Sequence, residues 1–461
     1  MHFFVENNSI LLCSDIYLVP VCYLACIGLK YDRLENADNL CRDTEILIMY
    51  SFFSKHSAVN ISVLLVLFAS FNFNTQVNAM PSSQPHPFQA LGYVDNHSFS
   101  TNLKVHWSAG LPLVDVMINN KPYTFLFDSG APTVIPAELL STNDLRVIDT
   151  DTIFDVAGGK RSKNIYRLPL MSVGELQFVD FASDFSENFP VSCVGFDGIF
   201  GYNFMRDLVV TLNLNQDEII LSDKLPSITE YIKTEMRYDK EQLPKVRLQF
   251  PFGRGWFGLD TGLNTAAVIG DSNFIPMLKN RGYKSTVTRG TSSATYGGAR
   301  GDTETHTFVL TDFSIDGKIS IESAPFKIEH SGADLVGTPM LQKFSVIADF
   351  PNKSVYLKPT TDSPISLSTK NTFGFKPFWS LERGLFISAI TDNTPAHQSD
   401  LEIGDAIVSI NSEDTSDFDK DDFCNMLRQI AGDGDSFDTQ KTLDIVVKKS
   451  GGEIKRIILH H

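Results

Sequence analysis

Cysteine is scarce in this chain, with 6 in 461 residues, and Cys13, Cys22, Cys26 and Cys41 all lie within the first 48. Cys193 and Cys424 fall in segments that read as different domains, so no disulfide framework emerges from the spacing. Sparse thiols leave the compartment open, because an exported protein can also do without disulfides. Basic residues are in deficit too: 39 Lys plus Arg against 55 Asp plus Glu gives a formal charge of -16, which repels phosphate backbones and argues against a nucleic-acid partner. The run from Ile10 to Leu29 approaches the length of a membrane span but is broken by Asp15 and Pro20, where an anchor should be driest. No Gly-x-Ser-x-Gly elbow and no His-Glu-x-x-His motif occur, and the 10 histidines lack paired metal-ligand spacing. The chain therefore implies no cofactor and no metal.

What is present is a duplication. Phe125-Leu126-Phe127-Asp128-Ser129-Gly130-Ala131 returns as Trp256-Phe257-Gly258-Leu259-Asp260-Thr261-Gly262. Each copy has an apolar run with the reach of a strand, then a carboxylate, a small hydroxyl residue and a glycine suited to a tight turn. Either tripeptide alone is ordinary turn chemistry. The upstream segments Val114 to Ile118 and Val246 to Phe250, however, superpose on the same register without a gap and alternate as half-buried strands do. Downstream, Asp197-Gly198-Ile199-Phe200-Gly201 answers to Ala333-Asp334-Leu335-Val336-Gly337, Met205 to Leu341, and Leu208 to Leu212 to Phe344 to Ala348.

This order of Asp-Ser/Thr-Gly, Gly-rich hairpin and apolar-apolar-Gly resembles the retropepsin-like aspartic proteases, with both halves in one chain as in pepsin-like enzymes. The resemblance implies that Asp128 and Asp260 meet as a catalytic pair between two lobes. Ser129, Gly130, Thr261 and Gly262 then support the pair, and the apolar-Gly segments pack behind the turns. It also implies that Gly158 and Gly159 sit in a flap over the substrate. The second copy departs from the family pattern, since Leu263-Asn264 follows its glycine where the first copy has Ala131 with Thr133 close behind. The function implied is an aspartic endopeptidase that hydrolyses peptide bonds with an activated water. The alternative is a protease-like module that holds peptides without cutting them.

At this length two or three domains are expected. Lys55, an apolar run from Val59 to Phe71 and Val77-Asn78-Ala79 have the form of a secretory signal, which predicts an exported protein, periplasmic or secreted, with no stable membrane span once the signal is removed. If synthesis starts at Met49, residues 1–48 are an over-extended start, 49–79 the signal and 80–89 a Pro-rich spacer. A first lobe over 90–223, a charged connection over 224–244 and a second lobe over 245–359 follow. The Gly-rich stretch from Arg289 to Gly301 lacks the Lys-Ser/Thr of a nucleotide loop and reads as a second hairpin.

After a Ser/Thr/Pro linker at 360–370, residues 371–461 change character. Leu401-Glu402-Ile403-Gly404-Asp405-Ala406-Ile407-Val408-Ser409-Ile410-Asn411 resembles a PDZ domain of the bacterial protease-associated kind. Phe423, Met426, Leu427 and Ile430 mark an amphipathic helix from Asp419 to Ala431. In such domains a peptide C-terminus adds beside a strand, its carboxylate held by backbone amides; Phe373-Gly374-Phe375 is the candidate turn. The fold expected is mainly β: two pseudo-symmetric retropepsin-like β-barrel lobes followed by a small α/β PDZ domain, acting on a peptide or protein substrate.

Overall fold

The computed structural model describes residues 2–6 and 9–13, and then residues 91–460 with interruptions at 97, 142–144, 155–159, 187–192, 239–242, 291–293, 296–297, 300–302, 330–333, 369–372 and 432–440. The chain divides into two compact units, Met1–Asn74 and Thr75–His461. In the first, His2–Glu6 pairs antiparallel with Ser9–Cys13. Most of the expected anchor-length run, the signal at 49–79 and the spacer at 80–89 lie outside the described residues. Among the described residues no helix is long and apolar enough to cross a membrane.

The second unit is mainly β, and its two lobes repeat one pattern of pairing. In the first, strand Leu111–Ile118 folds back on Lys121–Asp128, joined by Asn119 and Asn120. Both asparagines have positive φ, the backbone that a two-residue turn between twisted strands demands. In the second, Pro244–Phe250 folds back on Gly253–Asp260 in the same way. Each Asp-bearing strand then gains a parallel neighbour: Gly198–Gly201 beside Lys121–Asp128, and Leu335–Gly337 beside Gly253–Asp260. The register places Gly201 opposite Asp128 and Gly337 opposite Asp260, so the duplication read in the sequence is a duplication in space. Short helices Tyr202–Met205 and Thr338–Leu341 follow the two glycines at equivalent places.

Six antiparallel strands join the lobes, in the order Ser100–Lys104, Glu218–Ser222, Val209–Asn213, Phe344–Asp349, Ser354–Pro359 and Ile232–Tyr238. The middle pair, matched from Val209 with Asp349 to Leu212 with Val346, crosses from one lobe to the other. Residues 224–244, expected as a connection, thus contribute a strand to this sheet. One apolar core runs through both lobes, from Leu103 to Ile365, and is rich in phenylalanine: Phe178, Phe200 and Phe204 in the first lobe and Phe250, Phe257 and Phe326 in the second.

The last segment has its own core, built on Phe373, Ile387, Ile407, Phe423, Leu443 and Ile445. Its hairpin Phe375–Ser380 with Gly384–Thr391 carries the strands Ala406–Ile410, Thr442–Lys448 and Ile454–His460. Helix Lys420–Ala431 starts at a reciprocal cap, where the Asp422 N–H donates to Asp419 Oδ1 at 2.9 Å and the Asp419 N–H to Asp422 Oδ2 at 3.3 Å. The Gly404-Asp405 step has a structural cause: Gly404 takes φ +99°, and the buried Asp405 carboxylate accepts from the Glu402 N–H at 2.8 Å and from Lys449 Nζ at 2.9 Å. One expectation is corrected here. Cys193 and Cys424, which the spacing left without a partner, form a disulfide across a sequence separation of 231 residues, with Cα atoms 4.9 Å apart. Domain assignment hid it, because Cys193 comes from the first lobe's stretch of sequence yet packs against the PDZ-segment core that holds Cys424.

Candidate active site

Asp128 and Asp260 end equivalent strands and are brought together at the junction of the lobes. Within each turn the glycine amide caps its own aspartate: Gly130 N–H donates to Asp128 Oδ1 at 2.7 Å and Gly262 N–H to Asp260 Oδ1 at 2.8 Å. Between the turns the hydroxyl residues exchange bonds. The Ser129 N–H donates to Thr261 Oγ1 at 3.0 Å and the Thr261 N–H to Ser129 Oγ at 3.2 Å, while Ser129 Oγ donates to Leu259 O at 2.7 Å and Thr261 Oγ1 to Phe127 O at 2.6 Å. Ser129 and Thr261 are buried, so each bond between the turns also satisfies a polar atom that would otherwise be costly.

The glycines explain how close the approach is. A Cβ on Gly130 would overlap the Asp260 carboxyl, and one on Gly262 would overlap that of Asp128. Each carboxyl therefore sits over the opposite lobe's turn, which is the reciprocity a two-fold site requires. Burial pushes both carboxyls above the usual range. Asp260 is raised well above it, first by burial, then by the charge of Asp128 and the hydrogen bond between the two side chains. For Asp128 the rise due to burial is moderated by the Gly130 amide and by Asp260. Two carboxyls in such contact resist ionising together, which favours one proton shared over the pair.

Behind the turns, the Gly201 N–H donates to Thr133 Oγ1 at 3.0 Å, the Thr133 N–H to Asn203 Oδ1 at 2.8 Å, and Thr338 Oγ1 to Thr261 O at 2.8 Å. Asn203 and Thr338 were not singled out from the sequence. Their signal was available in the duplication, since Thr338 begins, and Asn203 is the second residue of, the short helix after its apolar-Gly strand. Leu263 does not intrude between the carboxyls: it packs with Ala266, Ile269 and Leu335 behind the turn, and its carbonyl accepts the Thr338 N–H at 2.8 Å. In the first lobe the Ala131 carbonyl plays the same part for the Tyr202 N–H at 3.0 Å.

The expected flap glycines, Gly158 and Gly159, lie outside the described residues; the strands on either side, Arg146–Phe154 and Lys160–Val173, pair antiparallel up to Phe154 opposite Lys160. In the second lobe, Ala294–Thr295 pairs with Gly298–Ala299, as a hairpin requires. Phe373, Gly374 and Phe375 sit far along the chain from the carboxyls, at the start of the last domain. Both phenylalanines are buried in its core, and Gly374 takes φ +86° with its carbonyl accepting the Thr391 N–H at 2.7 Å. Among the described residues no group of three or more His, Cys, Asp or Glu is placed to hold a metal ion.

Residues 114–204, which include the first of these turns, match the family model described as aspartyl protease. Residues 364–433 match the model of the PDZ domain. Among curated proteins no sequence matches this chain. Among solved structures the aspartic proteinase from Irpex lacteus is similar at 13% identity and a TM-score of 0.40, over 57% of this chain and 98% of that one. The second lobe repeats the pairing and turn geometry of the first. The chain thus joins an aspartyl-protease-like, two-lobed domain to a PDZ domain.

Proposed function

We propose that the protein is an aspartic endopeptidase whose PDZ domain receives peptide C-termini. The observation that carries this reading is the reciprocal seating of Asp128 and Asp260 over Gly262 and Gly130, braced by Ser129 and Thr261. A groove that only held peptides would have no need of two buried carboxyls sharing a proton. In the reaction, the ionised Asp128 takes a proton from water as the water oxygen adds to the peptide carbonyl carbon, and Asp260 gives its proton to the carbonyl oxygen. The tetrahedral adduct then collapses. The proton on Asp128 passes to the leaving nitrogen, the hydroxyl proton returns to Asp260, and the C–N bond breaks.

Export to an oxidising compartment is part of the same proposal, supported by the signal-like segment before residue 80 and by the Cys193–Cys424 bond. N-terminal sequencing of the exported protein is expected to begin near Met80.

Digestion of a diverse peptide library tests the chemistry. Cleavage is expected to rise and fall as a bell on the acidic side, because only the singly protonated pair can both activate water and donate a proton. Asp128→Asn and Asp260→Asn are each expected to remove nearly all activity, and the double variant to add little, since groups that act as a unit are strongly non-additive. A wild type that binds peptides yet cuts none from strongly acidic to neutral pH would establish the binding-module reading instead.

A further inference from the structure

The PDZ domain is fastened to both protease-like lobes, by two different devices. On the first lobe the fastening is covalent. Cys193 precedes the strand Gly198–Gly201 that lies beside Asp128, and its sulfur is bonded to Cys424 on helix Lys420–Ala431. The neighbour of Cys193 is anchored in the wall of the site: Val194 is buried with Leu111, Leu126, Val134 and Ile199, and its carbonyl accepts from Ser108 Oγ at 2.6 Å. Asp197, just beyond, accepts the Thr124 N–H of the Asp128 strand at 2.8 Å. A pull on Cys193 is therefore delivered within a few residues to the strand pair that presents Asp128.

On the second lobe the fastening is a shared sheet edge. Strand Ser285–Gly290 pairs antiparallel with Gly384–Thr391 of the PDZ domain, Thr288 opposite Thr391 and Gly290 opposite Ala389. The Asp392 N–H donates to Val287 O at 2.7 Å, and the Arg289 guanidinium reaches both Asp392 and Glu304. The same strand leads into the Gly-rich segment of that lobe.

We infer that the Cys193–Cys424 bond is a redox-operated latch through which the PDZ domain, held on the second lobe by strand pairing, steadies the wall of the Asp128 half-site on the first. Cys193 is half-buried and Cys424 is buried, so Cys193 Sγ is the sulfur open to attack. A thiolate of a dithiol reductant bonds to Cys193 Sγ and expels Cys424 as thiolate. The second thiol of the reductant then displaces Cys193 and closes the reductant to its own disulfide. Two electrons and two protons leave two Cys thiols in the protein. The strand bridge is untouched by this chemistry, so reduction frees the first-lobe wall while the PDZ domain stays on the second lobe.

Amide hydrogen exchange on the full exported chain, compared before and after treatment with dithiothreitol, reads this without any need for activity. Exchange is expected to quicken by an order of magnitude or more at Val194 to Gly201 and along the first turns of helix Lys420–Ala431, and to stay unchanged at Arg289 and Gly384 to Thr391. Cys193→Ser and Cys424→Ser should each reproduce the reduced pattern and be insensitive to the reductant. Either single variant suffices if the other fails to fold, and the wild type reduced in place needs neither. Unchanged exchange at Val194 to Gly201 after mass mapping has shown complete reduction overturns the latch, as does a mature protein isolated under oxidising conditions with both thiols free. The effect on peptide cleavage rests on the activity proposed above: KM is expected to rise several-fold on reduction, with the acidic pH bell unmoved. A protein with no peptidase activity leaves the exchange result standing and fails only the former reading.

Discussion

Thr261 is fully buried, and its one hydroxyl both donates to Phe127 O and accepts the Ser129 N–H across the lobe junction. Thr261→Val keeps the shape and removes both bonds, leaving a buried donor and a buried acceptor unpaired. It is expected to cost about 1–3 kcal/mol in urea unfolding, with peptide cleavage falling in parallel, whereas Thr261→Ser keeps both properties near wild type. Leu263→Ala should separate stability from chemistry. This side chain packs behind the turn, so about 1–2 kcal/mol of stability goes and the cleavage pH profile stays in place.

Asp334, which stands where the first lobe has Gly198, is a separate titration. Burial lifts its carboxyl from 3.8 to about 6, against the opposing bond from the Asp271 N–H. Between those values the folded state holds a proton that the unfolded chain has released, so this group makes stability fall as pH rises through that window. The loss reaches about 2–3 kcal/mol by pH 7. Asp334→Asn keeps the acceptor and does not ionise, so urea midpoints at pH 4 and pH 7 should converge in the variant relative to wild type. The carboxyl pair titrates equally in both proteins and cancels from the comparison.

At the scale of elements, the strand-turn units that deliver the two aspartates were legible because period-two burial and the Asp-Ser/Thr-Gly turns leave their mark on the residues themselves. Strand Ile232–Tyr238 obeys the same alternation, with Thr234 and Met236 inward and Lys233, Glu235 and Arg237 outward. Its outward charges made it read as a connection, because a strand next to the lobe junction still faces water on one side. Pairings between domains, such as Ser285–Gly290 with Gly384–Thr391, left no such mark, since an edge strand bonds through backbone groups that every residue carries. The PDZ turn is an element whose requirement is local. Gly374 has φ +86°, and a Cβ there would overlap the Thr394 side chain, so Gly374→Ala should displace the turn that Phe373 and Phe375 anchor. In calorimetry, wild type is expected to bind a peptide with a free C-terminus better than its amide, and Gly374→Ala to lose most of that preference. Equal binding of acid and amide by wild type would show that the turn does not hold a carboxylate.

For the whole molecule the decisive feature is where the cores end. The lobes share one apolar core and the six-stranded sheet that joins Val209–Asn213 to Phe344–Asp349, whereas the PDZ core is its own. Cooperative unfolding follows continuous buried contacts, so the two lobes should open as one unit despite their separate positions in the sequence. Tryptophan is placed to test this: the chain has 3, with Trp107 in the first lobe, Trp256 in the second and Trp379 in the PDZ domain. In full-length variants that keep one tryptophan and replace the others by phenylalanine, Trp107 and Trp256 are expected to report the same urea midpoint once differences in overall stability are subtracted. Trp379, whose indole N–H donates to Phe418 O inside the PDZ domain at 2.7 Å, should report a different one. Adding a dithiol reductant should widen the gap, because the disulfide is the covalent path from the first lobe to the PDZ helix. Separate midpoints for Trp107 and Trp256 would mean that the inter-lobe sheet does not transmit unfolding, and that the carboxyl pair is held together by two independently stable halves.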